Sequence, residues 1–332
     1  MASEIKPTTI FRHAHGVYPP LAMLAGMQLD VFTALAEGPA RAEVVAGRLG
    51  LAPDRLARLL YALVVAGLLR ENGATFANTE EADEFLVRGR PRYLGGLFET
   101  LGVFWRADFL TATSIRTGEP AAPHDFTTLP DEEARAFLRG LEASAAAAGR
   151  DLARRFDFSS YRNVIDIGGG AGGLLAALCE QYPRMHGTIL ELPRIAELVT
   201  PMLREAGRTQ RIRIVPGDII AAPPDDLYDA AVLRALIQLL SAEDAARAIC
   251  HAAAALAPGG AIYIIGAGIL DDSRLAPRSA VFRSLTFMNL FRGGASYTEA
   301  EHFAWLAAAG CINPERIHLP SGASIIRAIR AG

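Results

Sequence analysis

Residues 163–173 read Asn163-Val164-Ile165-Asp166-Ile167-Gly168-Gly169-Gly170-Ala171-Gly172-Gly173. An apolar strand passes through one acid into a turn made almost wholly of glycine. Residues without a β-carbon tolerate positive φ and let a ligand lie directly against the backbone. The spacing Gly168-x-Gly170-x-x-Gly173 matches the dinucleotide fingerprint, which by itself is widespread. Asp166, two residues before the first glycine, discriminates further. A pyrophosphate needs bare amides at a helix N-terminus, and a carboxylate there repels it. A sulfonium and an ammonium are attracted by the same carboxylate. The loop therefore reads as a site for S-adenosyl-L-methionine rather than for a nicotinamide dinucleotide.

Around this loop, short β-branched runs alternate with helical patterns. Strands are expected at 164–167, 187–191, 212–216, 230–234 and 261–265, and helices near 172–181, 195–206, 242–256 and 299–309. Such alternation predicts an α/β fold, a doubly wound parallel sheet whose ligand sits beyond the C-terminal strand ends. The second strand ends on Glu191-Leu192-Pro193, an acid placed to accept ribose hydroxyls. The third ends Gly217-Asp218-Ile219, an acceptor for an adenine amino group followed by an apolar wall for its ring. The fourth ends at Arg234.

Upstream, residues 20–86 carry helical periodicity and then an Asn72-Gly73 turn between two short β-like runs, the order of a winged helix. The would-be recognition helix, 54–69, offers Arg55 and Arg58 but is otherwise largely apolar, whereas a groove reader needs a basic outer face. Dimerisation is therefore the expected role, and no nucleic acid is expected as partner. Charge agrees: 33 Lys+Arg against 36 Asp+Glu, net −3, leaves no field for nucleic acid or an anionic membrane. No apolar run is long enough to span a bilayer, and the first residues lack the order of a signal peptide, so a cytoplasmic protein is expected. Cys179, Cys250 and Cys311 form no metal-like spacing, and no metal is expected.

The motifs Asp166-Ile-Gly-Gly-Gly-Ala-Gly, Glu191-Leu-Pro, Gly217-Asp218-Ile219, Leu256-Ala-Pro-Gly-Gly260 and Gly293-Gly-Ala-Ser-Tyr-Thr-Glu-Ala-Glu301 together resemble those of the class I S-adenosylmethionine-dependent methyltransferases. The whole chain is most similar to the small-molecule O-methyltransferase family of caffeic-acid and bacterial antibiotic-pathway enzymes. The resemblance implies a Rossmann-like methyltransferase domain at 156–332, a helical connector at 96–155 and a winged-helix dimerisation domain at 1–95. It also implies secondary metabolism and an intertwined homodimer. Donor contacts follow from Gly168, Glu191, Asp218, Ile219 and Arg234, beside Asp166 and Gly170 of the loop. The acceptor pocket would be lined by Phe104, Trp105, Phe109, Leu141, Met288 and Asn289.

One part of the family pattern is absent. Gln238 stands where phenol-methylating members carry a basic histidine, Leu239 replaces its acidic neighbour, and Ser296 stands where a glutamate is expected. Glutamine can hold a substrate but cannot take a proton at neutral pH. His13 and His15, in an N-terminal arm, are alternative bases; His124, in the Pro-rich loop, ranks below them, and His251, His302 and His318 read as structural. Tyr297 has too high an ordinary pKa for an easy base. The expected activity is methyl transfer to nitrogen, carbon or an acidic oxygen of a small aromatic or heteroaromatic metabolite, by proximity and alignment. The alternative is an enzyme that keeps the donor unreacted and catalyses hydroxylation, decarboxylation or a pericyclic step.

Overall fold

The computed structural model describes residues 5–320 and 322–332, with backbone only for residues 95–99. The chain divides into two compact units, Met1–Gly102 and Val103–Gly332. Most of the stretch expected to act as a connector thus belongs to the second unit.

The first unit is helical with one small sheet: α1 (Thr8–His15), α2 (Tyr18–Gln28), α3 (Val31–Ala34), β1 (Ala40–Arg41), α4 (Ala42–Leu49), α5 (Pro53–Val65), β2 (Leu69–Asn72), β3 (Thr75–Asn78) and α6 (Glu80–Leu86). The sheet is antiparallel in the order β1-β3-β2. Leu56, Leu60 and Leu63, one face of α5, pack with Val31, Phe32, Val45 and Phe76 into its core. The hairpin turns one residue later than Asn72-Gly73 suggests. Gly73 and Ala74 both have positive φ, 57° and 62°, as a two-residue hairpin loop requires, and Glu71 accepts the Ala74 amide at 2.6 Å.

Helix α7 (Gly95–Asp108) runs through the division between the units. The second unit continues with α8 (Thr111–Thr117), α9 (Asp131–Arg155), β4 (Asn163–Ile167), α10 (Gly173–Gln181), β5 (His186–Glu191), α11 (Pro193–Glu205), β6 (Ile212–Pro216), β7 (Tyr228–Arg234), α12 (Ala242–Ala254) and β8 (Leu256–Gly266). It ends with β9 (Ile269–Leu270), α13 (Arg278–Leu290), β10 (Tyr297–Thr298), α14 (Glu299–Ala308), β11 (Cys311–His318) and β12 (Ser324–Arg330). Seven strands form one sheet in the order β11-β12-β8-β7-β4-β5-β6. The run from β8 to β6 is parallel, and β12 is antiparallel to both of its neighbours.

Strand alternation separates two cores. Val164 faces Leu152, Phe158, Leu174 and Tyr263 on one side, while Ile165 and Ile167 join Leu233, Ile249 and Leu306 on the other. The sheet is buried on both faces, which is why its strands read as apolar runs rather than alternating ones. The final hairpin, β11 with β12, is not among the expected strands. Asn313-Pro314 and a register shift between Ile312 and Glu315 interrupt the pattern of β11. Among the described residues no helix is long and apolar enough to cross a membrane.

Candidate donor and acceptor site

Strand β4 lies between β5 and β7, so the order of connection reverses at its C-terminal end. A crevice opens at such a switch point, and the glycine loop occupies it. Gly168 leaves the strand at φ 70° and its amide donates to the Leu190 carbonyl at 2.9 Å. Gly172, at φ 78°, hands the chain to α10; a β-carbon there would lie 2.9 Å from both Ile189 and Leu203. The loop is gripped from above by α9. A β-carbon on Gly170 would meet Leu138 at 3.3 Å, and one on Gly173 would meet the Glu142 carbonyl at 2.6 Å. Arg208 fastens the same layer, reaching Glu142 at 2.5 Å and the Ala171 carbonyl at 3.3 Å.

The acids at the strand ends differ in burial and in partners. Asp166 is 1% exposed, and its Oδ1 has no hydrogen-bond partner among the described residues. Burial pushes its pKa up to about 7, with Arg234 pulling it down and Glu191 adding to the rise. Glu191 accepts the Gly170 amide at 2.8 Å and the Leu192 amide at 3.3 Å, yet burial still raises it to about 7. Arg234 donates to Ser144 Oγ of α9 at 2.8 Å; burial lowers its pKa and Asp166 opposes that fall. Asp218 is exposed and closes its own turn through the Ile220 amide at 2.9 Å, leaving one carboxylate oxygen outside that bond. Ile219 is buried, and its carbonyl meets His251 Nδ1 at 2.7 Å.

This set fits a cationic nucleoside donor. A fully buried carboxylate with an idle oxygen is costly unless a donor or a positive charge arrives to meet it, and S-adenosyl-L-methionine carries both. The bare backbone at Gly168–Gly170 gives the amino-acid end of such a donor room to approach.

Among the residues expected to meet the acceptor, Gln238 is 8% exposed and sits in a 3-10 turn, Ile237–Leu239, after β7. Its side chain fills a notch made by two glycines. A β-carbon on Gly266 would lie 2.8 Å from Gln238 Oε1, and one on Gly268 would lie 2.9 Å from Gln238 Cβ and 3.0 Å from the Phe287 ring. Ser296 Oγ is spent on the Ala280 carbonyl at 2.9 Å, and Tyr297 Oη on that of Leu240 at 2.6 Å. Burial raises the Tyr297 phenol to about 12.

The aromatic residues divide. Phe104 meets Phe137 edge-on at 6.2 Å between ring centroids, and Trp105, Leu141 and Met288 are half-buried. Phe109 stands at the surface, 73% exposed. Asn289 is fully buried, but its amide nitrogen is committed to Thr111 Oγ1 at 2.9 Å and Asp108 at 3.4 Å, leaving only its orphaned Oδ1 for anything else. His13 and His15 lie on α1, which buries no residue. His124, ranked below His13 and His15 on the sequence, stands out in the structure. It sits in the loop between α8 and α9 with its Nε2 buried, unpartnered among the described residues, and ringed by phenylalanines.

Comparison with known proteins identifies the family. Residues 117–311 match the O-methyltransferase domain, and residues 11–88 match the O-methyltransferase dimerisation domain. The 3-hydroxy-5-methyl-1-naphthoate 3-O-methyltransferase of Streptomyces sahachiroi is 30% identical over 98% of this chain and 96% of its own. The N,N-dimethyltransferase OxyT of Streptomyces rimosus is 29% identical over 91% of this chain and 87% of its own. In fold, the crystal structure of human N-acetylserotonin methyltransferase in complex with S-adenosylmethionine superposes with a TM-score of 0.86 over 100% of both chains, at 22% identity. The chain belongs to the small-molecule O-methyltransferase family, S-adenosyl-L-methionine-dependent methyltransferases that join a helical dimerisation domain to a Rossmann-like catalytic domain.

Proposed function

We propose that this enzyme, as a homodimer, methylates a flat aromatic or heteroaromatic metabolite of secondary metabolism at nitrogen, carbon or an acidic oxygen, and that Gln238 takes no proton in the reaction. The observation that carries the reading is the Gln238 side chain folded into the Gly266–Gly268 notch. An amide there can orient an acceptor through hydrogen bonds but has no basic lone pair at neutral pH. The relatives support either acceptor atom, since their names describe methylation at oxygen in one case and at nitrogen in the other.

The bound donor supplies a methyl group on an electrophilic sulfonium. The chain supplies the rest. Asp166 and Glu191 hold the donor's cationic and ribose ends, Asp218 and Ile219 its adenine, and Arg234 fixes α9 through Ser144. Phe104, Trp105, Leu141 and Met288 wall the acceptor, with Phe109 available only to a ligand that reaches the surface. Alignment of two bound reactants can provide about 7–11 kcal/mol of barrier reduction without proton transfer.

The test is formation of S-adenosylhomocysteine by the purified enzyme with a panel of naphthols, hydroxynaphthoates, azaheterocycles and stabilised enols. One equivalent per methylated product is expected. Conversion of a pathway extract without any S-adenosylhomocysteine would instead favour an enzyme that retains the donor unreacted.

A further inference from the structure

His124 is held in the strap of chain between α8 and α9, and that strap is pinned on both sides of it. On one side the His124 amide donates to the Leu290 carbonyl at 2.8 Å, and the Ala122 amide to that of Asn289 at 3.1 Å, so the loop is laid along the end of α13. On the other side Arg194, three residues beyond Glu191, donates to the Phe126 carbonyl at 2.8 Å, to the Leu129 carbonyl and to Asp131 at 2.8 Å. The strap therefore spans from the acceptor helix to the strand end that carries the ribose acid.

Its imidazole is packed among three phenyl rings: Phe137 at 4.6 Å, Phe126 at 4.8 Å and Phe291 at 6.1 Å between centroids. Two of these belong to elements that touch the site directly. Phe137 is followed by Leu138, which abuts Gly170 of the donor loop. Phe291 lies one helical turn after Phe287, which meets Gln238 across Gly268. A buried ring nitrogen left without a partner in such a place is unfavourable. That cost is recovered when a ligand hydroxyl or ring N–H meets it.

We propose that His124 Nε2 hydrogen-bonds the acceptor and removes its hydroxyl proton, replacing from the strap the base that Gln238 cannot be. The inference rests on the methyl-transfer reading above. The O–H bond breaks, its electron pair stays on the acceptor oxygen, and the proton goes to Nε2 and afterwards to water. Burial lowers the imidazole pKa, so the ring is neutral and can accept at neutral pH. The charged groups around it are Asp125 in the strap and Glu133 on α9, both of which favour the imidazolium, with Arg194 holding the strap and Arg292 after α13 paired to Glu119.

The experiment compares wild type with His124→Phe, which keeps the aromatic packing, and His124→Gln, which keeps hydrogen bonding without basicity. Each is assayed for S-adenosylhomocysteine formation with a naphthol and with an azaheterocycle that carries no proton on its nucleophilic nitrogen. Donor binding is followed by calorimetry as a control on folding. For the naphthol, both variants should lose about 10²- to 10⁴-fold in kcat. Their residual rate should follow only the acceptor's own ionisation, with the acid limb of the wild-type profile gone. For the azaheterocycle the loss should be below tenfold. In histidine-labelled protein holding S-adenosylhomocysteine, the naphthol should shift the imidazole resonance that disappears in His124→Gln. Equal losses on both acceptors, unchanged rates, or an unmoved resonance would overturn the proposal while leaving methyl transfer intact. Wild type that methylates none of the probes would remove the underlying reading and this inference with it.

Discussion

Asp166, proposed to meet the donor's positive charge, ties ligand binding to pH. Its folded pKa, and that of Glu191, stand near 7, above their ordinary values because burial disfavours the carboxylate. A carboxyl raised in the folded state holds its proton more tightly when folded than when unfolded. The donor-free protein should therefore lose stability as pH rises from the ordinary carboxylate range to about 7, readable as a falling thermal midpoint. A cationic donor reverses the preference. Its affinity should rise as pH increases through about 7 and level off above, with a proton released on binding, seen by calorimetry in buffers of different ionisation enthalpy. Asp166→Asn should weaken donor binding roughly ten- to a hundredfold, as expected for a hydrogen bond to a charged group. Donor binding that is flat in pH would contradict the assignment. Gln238 makes the opposite prediction: Gln238→Ala should raise the acceptor KM by no more than about tenfold and leave the pH profile of kcat unchanged. An ionisation lost with that substitution would mean that the turn after β7 does house a proton carrier.

At the scale of elements, α9 decides whether the site exists. It grips the glycine loop with Leu138 and Glu142, ties Ser144 to Arg234, and contributes Phe137 to the aromatic cluster. Its approach to α10 depends on Gly149, where a β-carbon would stand 2.5 Å from the Leu174 carbonyl and 3.0 Å from Ala177 Cβ. Backbone cannot yield as a flexible side chain does, so Gly149→Ala should force the helices apart and cost about 1–3 kcal/mol. The denaturant midpoint measures this, and donor affinity should fall with it because the loop loses its roof. A mutant as stable as wild type would show that α9 can tilt without cost. The helical character of the 96–155 stretch was expected from the sequence; its contact with Gly170 and Gly173 was not, because nothing in a helical period says which loop it covers.

For the whole molecule, α1 is the informative element. It buries no residue in its own chain while exposing Ile10 at 70% and Phe11 at 57%. An eight-residue helix is marginal alone in water, and from Phe11 onward it lies in the region that matches the dimerisation domain over 11–88. A second copy is the proposed cover. Light scattering should give twice the chain mass, and Phe11→Asp should shift the population toward monomer and lower the thermal midpoint in a concentration-dependent way. A wild type that is monomeric at micromolar concentration would reject the dimer. His13 and His15 share this helix, so the same variant tests whether they matter to activity only through assembly.

By itself the sequence determined the ligand chemistry and the frame that holds it. A glycine turn after a strand, one acid before it and acids at the next two strand ends are local facts, and local patterns of two- and 3.6-residue period carry them. The expectation that Gln238 stands at the family's base position was equally local. What only the tertiary structure decided was where the unpaired polar atoms lie. Asn289 was expected to face the acceptor, yet Thr111 and Asp108, nearly 180 residues earlier, claim its amide nitrogen. His124, which the sequence ranked only as a lesser base candidate, proved to have a buried nitrogen without a partner among the described residues. Hydrogen-bond satisfaction is a property of neighbours brought together by folding, and sequence spacing holds no record of who those neighbours are.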